Sequence, residues 1–248
     1  MTETPAVPRK AASARVAVIM VAAGQGTRLG YGIPKAEVPI AEHSMLETAL
    51  LSADSFLRRD DVQLVAVLPP ERPEFQQLIE NFAREHGHHL AVTHGGATRT
   101  ESVLNGLVLA PDAEFVLVHD AARPLASAAL FERVLTSLEA GSEATIPGIK
   151  VADTIKRIST TTEVAVTVNR DELRAIQTPQ GFQRVALQEA YVATQSWTDA
   201  EREAATDEAM LFEMQGRPVQ VIEGEQSALK VTTAHDLQVV RFLASEEQ

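Results

Sequence analysis

From Arg15 onward, short apolar runs alternate with stretches whose apolar residues recur every three to four positions. The short runs Val16–Ala22, Val62–Leu68, Leu90–Thr93, Phe115–Val118, Ala144–Pro147 and Val219–Ile222 predict strands. Their β-branched content and length separate them from buried helix segments. Between them, Ser44–Phe56, Glu74–Glu85, Thr98–Leu109, Ala129–Glu139, Val185–Thr194, Asp207–Met214 and Ala234–Ala244 carry helical periodicity. Strand and helix in alternation predict an α/β fold: a Rossmann-like three-layer sandwich with a mostly parallel mixed sheet. On such sheets ligands bind beyond the carboxyl ends of the strands, so the loops there carry the chemistry.

Two segments break the rhythm. Residues 1–14 mix Pro, Thr, Ser and charge without an apolar stretch, which predicts a disordered tail and no secretory signal. Residues 148–180 are rich in Thr and Val with little helical period, and predict an extended β arm protruding from a single domain over 15–248. An arm with exposed strand edges needs a cover, and a second copy of the chain supplies one; the alternative is a loose hairpin.

Charge sharpens this picture. Lys and Arg number 22 against 34 Asp and Glu in 248 residues, a formal net charge of −12. Nucleic acid and anionic membrane surfaces both demand a basic face, so neither is an expected partner. With no cysteine, disulfides, thiolate nucleophiles and Cys-type metal centres are excluded. No run approaches the length of a membrane span. A soluble, cytoplasmic protein is expected, whose anionic ligand meets locally concentrated cations.

One such concentration lies in the loop after the first strand, Val18–Lys35 (VIMVAAGQGTRLGYGIPK). From Arg15 to Ala36 the chain has Arg15, Arg28 and Lys35 and no acidic residue. A cation 4 Å from a phosphate charge gains about 4 kcal/mol at an effective dielectric near 20. Glycines let a backbone approach a phosphate closely. The loop is not a Walker A motif, because Lys35 follows Pro34 and precedes Ala36. As a dinucleotide fingerprint it is poor: Gly30 comes one residue late, and the second strand ends in Pro69-Pro70 where a ribose-binding acid is expected. That weighs against a nicotinamide-dependent oxidoreductase.

The longer string is more specific. Ala22-Ala23-Gly24-x-Gly26-x-Arg28 followed by Pro34-Lys35 is similar to the signature of nucleotidyltransferases acting on sugar and alditol phosphates. Gly95-Gly96-Ala97-Thr98-Arg99-x-x-Ser102-Val103, Val116–Pro124 (VLVHDAARP), Asp153–Lys156, Asn169-Arg170, Gln177–Gln180, Thr206–Glu208 and Leu229–Thr232 follow in order. Together they resemble the 2-C-methyl-D-erythritol 4-phosphate cytidylyltransferase family over about Val16 to Leu237.

That resemblance implies attack of a substrate phosphate on the α-phosphorus of CTP, with release of pyrophosphate. A phosphate monoester is already largely ionised near neutrality, so no dedicated base is required. Arg28 and Lys35 are implied as the catalytic cations. Ala22, Ala23, Gly24, Gly26, Gly95, Ser102 and Asp120 join them in binding CTP, and Asp120 holds Mg2+ or another divalent cation. The second substrate, a polyol phosphate, falls to Thr154, Arg170, Thr178, Thr206 and Lys230, with Thr154 and Arg170 reaching the partner's site in a homodimer. A ribitol 5-phosphate cytidylyltransferase is the alternative, and a non-catalytic CTP-binding module another.

One departure matters. The family commonly carries an Asp shortly before its last Lys, whereas this chain reads Glu225-Gln226-Ser227-Ala228-Leu229-Lys230. Either Asp120 and water hold the metal alone, or Glu225 assists. His119, on the strand face opposite Asp120, is expected to be structural. His86, His88 and His89 are expected at the surface, and Glu201–Glu213 as a solvated acidic face.

Overall fold

The computed structural model describes residues 14–24, 29–159, 162–198, 200–201 and 205–246. Apart from the buried Ala14, the tail expected over residues 1–14 lies outside them. Ten strands are seen among the described residues: β1 (Val16–Val21), β2 (Val62–Leu68), β3 (Leu90–His94), β4 (Phe115–Asp120), β5 (Ala144–Lys150), β6 (Lys156–Ile158), β7 (Val164–Thr167), β8 (Arg174–Ile176), β9 (Gln180–Gln183) and β10 (Gln220–Glu223). The helices are α1 (Met45–Ser52), α2 (Asp54–Leu57), α3 (Pro73–Glu85), α4 (Arg99–Val108), α5 (Ala128–Glu139), α6 (Arg184–Ala193), α7 (Glu208–Met214) and α8 (Ala234–Glu246). The helix expected over Ser44–Phe56 is therefore two, joined at Ala53. Among the described residues, no helix is long and apolar enough to cross a membrane.

The main sheet runs β10-β5-β9-β4-β1-β2-β3, with β8 paired to β5. Neighbours β4, β1, β2 and β3 are parallel, as are β5 and β10, while β9 is antiparallel to both β4 and β5. Successive side chains of a strand point to opposite faces, and the central strands are apolar on both. Val16, Val18 and Met20 pack with Leu46, Leu50, Phe56, Phe75 and Phe131 on one side. Ala17 and Ile19 pack with Val103, Leu107, Leu187, Leu211 and Phe212 on the other. Three layers result, as the alternation of runs predicts. A smaller cluster of Leu29, Val38, Ile40, Met45, Val231, Leu237 and Val240 fastens α8 and the segment before it beside the loop after β1.

Residues 148–180 are not all arm. Gly148 to Lys150 finish β5, and Arg174 to Ile176 return along it as β8. What stands away from the main sheet is the hairpin of β6 and β7, whose residues are exposed on every position.

After β3 the chain crosses from one side of β1 to the other to form β4. The carboxyl ends of β1 and β4 are thus a topological switch point, where a crevice opens. Register places Val21 opposite Asp120 there, and the Ala121 N–H donates to the Val21 carbonyl at 3.1 Å.

Candidate active site

The crevice is a cavity of about 650 Å³ lined by Val21 to Gly24, Lys35, Gly96 to Arg99, Ser102, Asp120 to Ala122, Lys230 and Thr232, among others. Among the described residues it carries three cations, Lys35, Arg99 and Lys230, against the single carboxylate of Asp120. In a chain of net charge −12, that local surplus suits a polyanionic ligand.

Each wall has a local cause. The first continues β1: Ala22 donates its N–H to Val67 at 2.9 Å, and Lys35 closes the loop with an N–H to the Gly24 carbonyl at 3.3 Å. The Lys35 ammonium donates to the Val231 carbonyl at 2.6 Å, which ties this loop to the segment before α8.

The second wall is the start of α4. Thr98 and Glu101 form a reciprocal cap, leaving Arg99 as the first helical residue. The buried Ser102 hydroxyl donates to the Thr98 carbonyl and accepts from the Gly96 N–H, bracing the glycine turn. Gly95 does not line the cavity but is packed against it: a Cβ there would lie 2.2 Å from that of Ala23. Only glycine allows this approach of the two loops.

The floor is Asp120, the last residue of β4. His119 and Asp120 do point to opposite faces. His119 packs on Phe131 with ring centroids 5.0 Å apart, while Asp120 faces α4 and α7. Lys230 donates to one Asp120 oxygen at 2.6 Å, and Arg99 reaches the other at 3.3 and 3.4 Å. Burial opposes ionisation of this carboxyl. The Arg99 and Lys230 charges outweigh it and hold the group well below the usual carboxylate range.

Beneath the floor runs a chain of hydrogen bonds. The Arg123 carbonyl only accepts, so His119 donates to it from Nε2 at 3.3 Å. Nδ1 must then accept from the Thr178 hydroxyl at 3.1 Å, and that hydroxyl accepts from the Asp120 N–H at 3.0 Å. Burial pushes the His119 imidazole down to about 4, so it is neutral near pH 7, consistent with this arrangement.

Of the residues singled out from the sequence, the structure brings together Ala22, Ala23, Gly24, Lys35, Ser102, Asp120 and Lys230. Gly26 and Arg28 lie outside the described residues. Thr178 is buried beneath Asp120 and supports it. Thr206 is exposed, its hydroxyl on the Met210 sulfur. Thr154 and Arg170 sit at the foot of the hairpin, where the Arg170 guanidinium donates to the Ala152 carbonyl. None of these four lines the cavity. Glu225 is turned away, bound to the N–H and hydroxyl of Ser127 at the cap of α5 and to Arg133 midway along that helix.

Two expectations are corrected. His88 is not at the surface: its buried Nε2 lies 2.9 Å from Asp54, and burial, against that carboxylate, lowers its pKa. Glu208 is not on a solvated face either. It is fully buried, and Arg99 donates to both its oxygens at 2.8 and 2.6 Å. Arg99, Glu208 and Arg123 all fall within the quoted motifs, but spacing alone gives them no task. Arg123 donates to the carbonyls of Ala228 and Ile176, tying the Lys230 segment to the hairpin foot.

The fold and cavity define an α/β protein whose crevice at the ends of β1 and β4 is lined by cations suited to a polyanionic ligand such as a nucleotide. The sequence pattern of the 2-C-methyl-D-erythritol 4-phosphate cytidylyltransferase (IspD) family matches residues 16–246. The chain belongs to that family. It is 43% identical over 231 residues to the 2-C-methyl-D-erythritol 4-phosphate cytidylyltransferase of Rhodococcus opacus (strain B4), covering 93% of this chain and 96% of that one. Among solved structures it is similar to 4-diphosphocytidyl-2C-methyl-D-erythritol synthase from Anaerococcus prevotii (TM-score 0.75, 28% identity, 93% of this chain and 96% of that one). It is also similar to the 2-C-methyl-D-erythritol 4-phosphate cytidylyltransferase of Thermus thermophilus (TM-score 0.70, 31% identity, 92% and 98%).

Proposed function

We propose that this chain transfers the cytidylyl group of CTP to 2-C-methyl-D-erythritol 4-phosphate, giving 4-diphosphocytidyl-2-C-methyl-D-erythritol and pyrophosphate for isoprenoid precursor synthesis. The observation that carries the reading is the family match over 16–246, within which Lys35, Arg99, Asp120 and Lys230 meet in one cavity. An oxygen of the acceptor phosphate forms a bond to the α-phosphorus. The bond from that phosphorus to the bridging oxygen breaks, and pyrophosphate leaves with the electron pair. No proton need move first, so the protein's task is positioning and charge neutralisation. Lys35, held by the Val231 carbonyl, faces the triphosphate, and Arg28 is assigned the same task from the motif. Ala22 to Gly24 and Gly96 present small residues against which the cytosine rests, and Gly95 lets the two loops approach.

The donor set suits Mg2+. Among the described residues no three His, Asp or Glu side chains converge to cage a cation. Mg2+ commonly takes one or two carboxylates and completes its shell from phosphates and water. Asp120 offers that carboxylate, on the oxygen that Arg99 touches only at 3.3 Å or more. Bound there, the ion would supply charge neutralisation between phosphate groups.

A homodimer through the hairpin is part of the proposal. Ile158, Val164 and Val166 are exposed apolar residues on it, which a second copy would cover. The partner's site would then receive Thr154 and Arg170, while Thr206 and Lys230 serve the chain's own and Thr178 supports it from beneath Asp120. A cytoplasmic location follows from the use of CTP.

The test is pyrophosphate release with CTP, Mg2+ and either 2-C-methyl-D-erythritol 4-phosphate or ribitol 5-phosphate. Release with the first alone is expected. Release with ribitol 5-phosphate alone would move the acceptor, and silence with both would leave a CTP-binding module. Lys35→Ala should lower turnover by orders of magnitude. Mixing Arg170→Ala and Lys35→Ala chains should restore activity at one site per dimer; no recovery above either parent would refute sharing.

A further inference from the structure

The Arg99 guanidinium divides its donors unequally. Nη1 takes both oxygens of Glu208 at 2.8 and 2.6 Å, whereas Nε and Nη2 only reach one oxygen of Asp120, at 3.4 and 3.3 Å. Glu208 opens α7, whose cap is Asp207, and its carboxylate is shut away from both solvent and cavity. Tyr191 on α6 donates to the same carboxylate at 3.2 Å. Burial pushes the Glu208 carboxyl up, against the pull of Arg99.

A buried anion behind a cavity-lining cation has a consequence for the floor. A guanidinium beside a lone carboxylate closes into a two-bond pair with it. Here Glu208 competes for Arg99 and keeps that pair with Asp120 from closing. Asp120 thereby keeps one oxygen for Lys230 at 2.6 Å and the other lightly held. The four charges Asp120, Glu208, Arg99 and Lys230 also sum to zero, with Arg99 and Lys230 on the cavity side and Glu208 buried behind them.

We propose that Glu208 is a positioning residue for the transfer reaction: from outside the cavity, and through Arg99, it sets the orientation of the Asp120 carboxylate. The inference rests on the cytidylyltransferase reading. Glu208→Gln keeps the shape but removes the competing charge. Arg99 then closes on Asp120 and the floor gains one net positive charge. Turnover falls at least tenfold, while CTP binds as tightly as before or more so, because the extra positive charge attracts it.

The experiment measures, on the full-length protein, calorimetric CTP affinity and stoichiometry without acceptor, alongside pyrophosphate release with both substrates. Reduced turnover with undiminished CTP affinity and unchanged stoichiometry supports the proposal. A loss of stoichiometry in proportion to turnover would mean that Glu208 only holds the fold, and full turnover would mean that Arg99 needs no competitor; either overturns it. If Glu208→Gln fails to fold, Tyr191→Phe decides, since it loosens Glu208 without removing its charge. A threefold or greater fall in turnover at constant stoichiometry supports the role, and no fall overturns it. A silent wild-type enzyme would instead strike down the reading beneath, and the proposal with it.

Discussion

Thr178→Val separates two tasks that one threonine can have. Valine matches the volume of threonine but lacks the hydroxyl that accepts from Asp120 N–H at 3.0 Å and donates to His119 Nδ1 at 3.1 Å. Both partners are buried, and each orphaned group costs about 1–3 kcal/mol. The variant should lose on the order of 2–4 kcal/mol in urea denaturation, with a fall in Tm of roughly 5–10 °C for a chain of this size. Thr178→Ser keeps the hydroxyl and gives up one methyl, about 1 kcal/mol. Urea melts of the three proteins, followed by circular dichroism with acceptor KM measured beside them, distinguish the cases. If Thr178→Val were within about 0.5 kcal/mol of wild type, the size of an ordinary surface substitution, while acceptor KM rose, the hydroxyl would be a substrate contact and the hydrogen-bond chain beneath Asp120 would be wrong.

Three further outcomes follow from the same geometry. Gly95→Ala places a Cβ 2.2 Å from that of Ala23, so CTP affinity should drop by tenfold or more; calorimetry showing native affinity would mean the loops part freely. Glu225→Gln weakens the bonds to Ser127 and Arg133 and should cost about 1 kcal/mol in stability, leaving the Mg2+ dependence of turnover unaltered. A rise in the Mg2+ requirement would restore Glu225 as a metal ligand. Because burial depresses the His88 pKa below the ordinary 6.5, the unfolded chain takes up a proton at mildly acidic pH that the folded chain refuses. Stability present above pH 6.5 should therefore decline as pH falls below it, and more shallowly in His88→Gln. Parallel Tm–pH curves for the two proteins would exclude His88 as a source.

How much of this was legible depends on whether a residue's partner is near it in sequence. The apolar runs of β1, β2 and β4 announce themselves, since a strand covered on both faces must be apolar on both. β9 does not: Gln180-Gly181-Phe182-Gln183 holds one large apolar residue, yet it lies between β4 and β5. Its Gly181 is small because α5 presses on it, a Cβ there falling 2.4 Å from Val134. Lys35, Asp120 and Lys230 were legible because motif order reports loops that share one sheet end. Glu208 reads as one more acid among Glu201–Glu213, and only the fold sets it against Arg99, 109 positions away. His88 likewise looks like a helix-end residue until Asp54 is placed beside it.

The foot of the hairpin and the strap bearing Lys230 form a single mechanical piece. Gln177, one residue past β8, donates its side-chain amide to the Glu225 carbonyl and accepts from the Glu225 N–H, while Arg123 clasps the carbonyls of Ile176 and Ala228 together. Beyond Ala228 and Leu229 stands Lys230, and the carbonyl of the following residue, Val231, holds Lys35. The hairpin is thus a lever whose fulcrum is shared with two of the cavity's cations. Trimming its free end leaves the fulcrum untouched, whereas any change that twists residues 174–177 displaces the ammonium groups of Lys35 and Lys230 at the cavity.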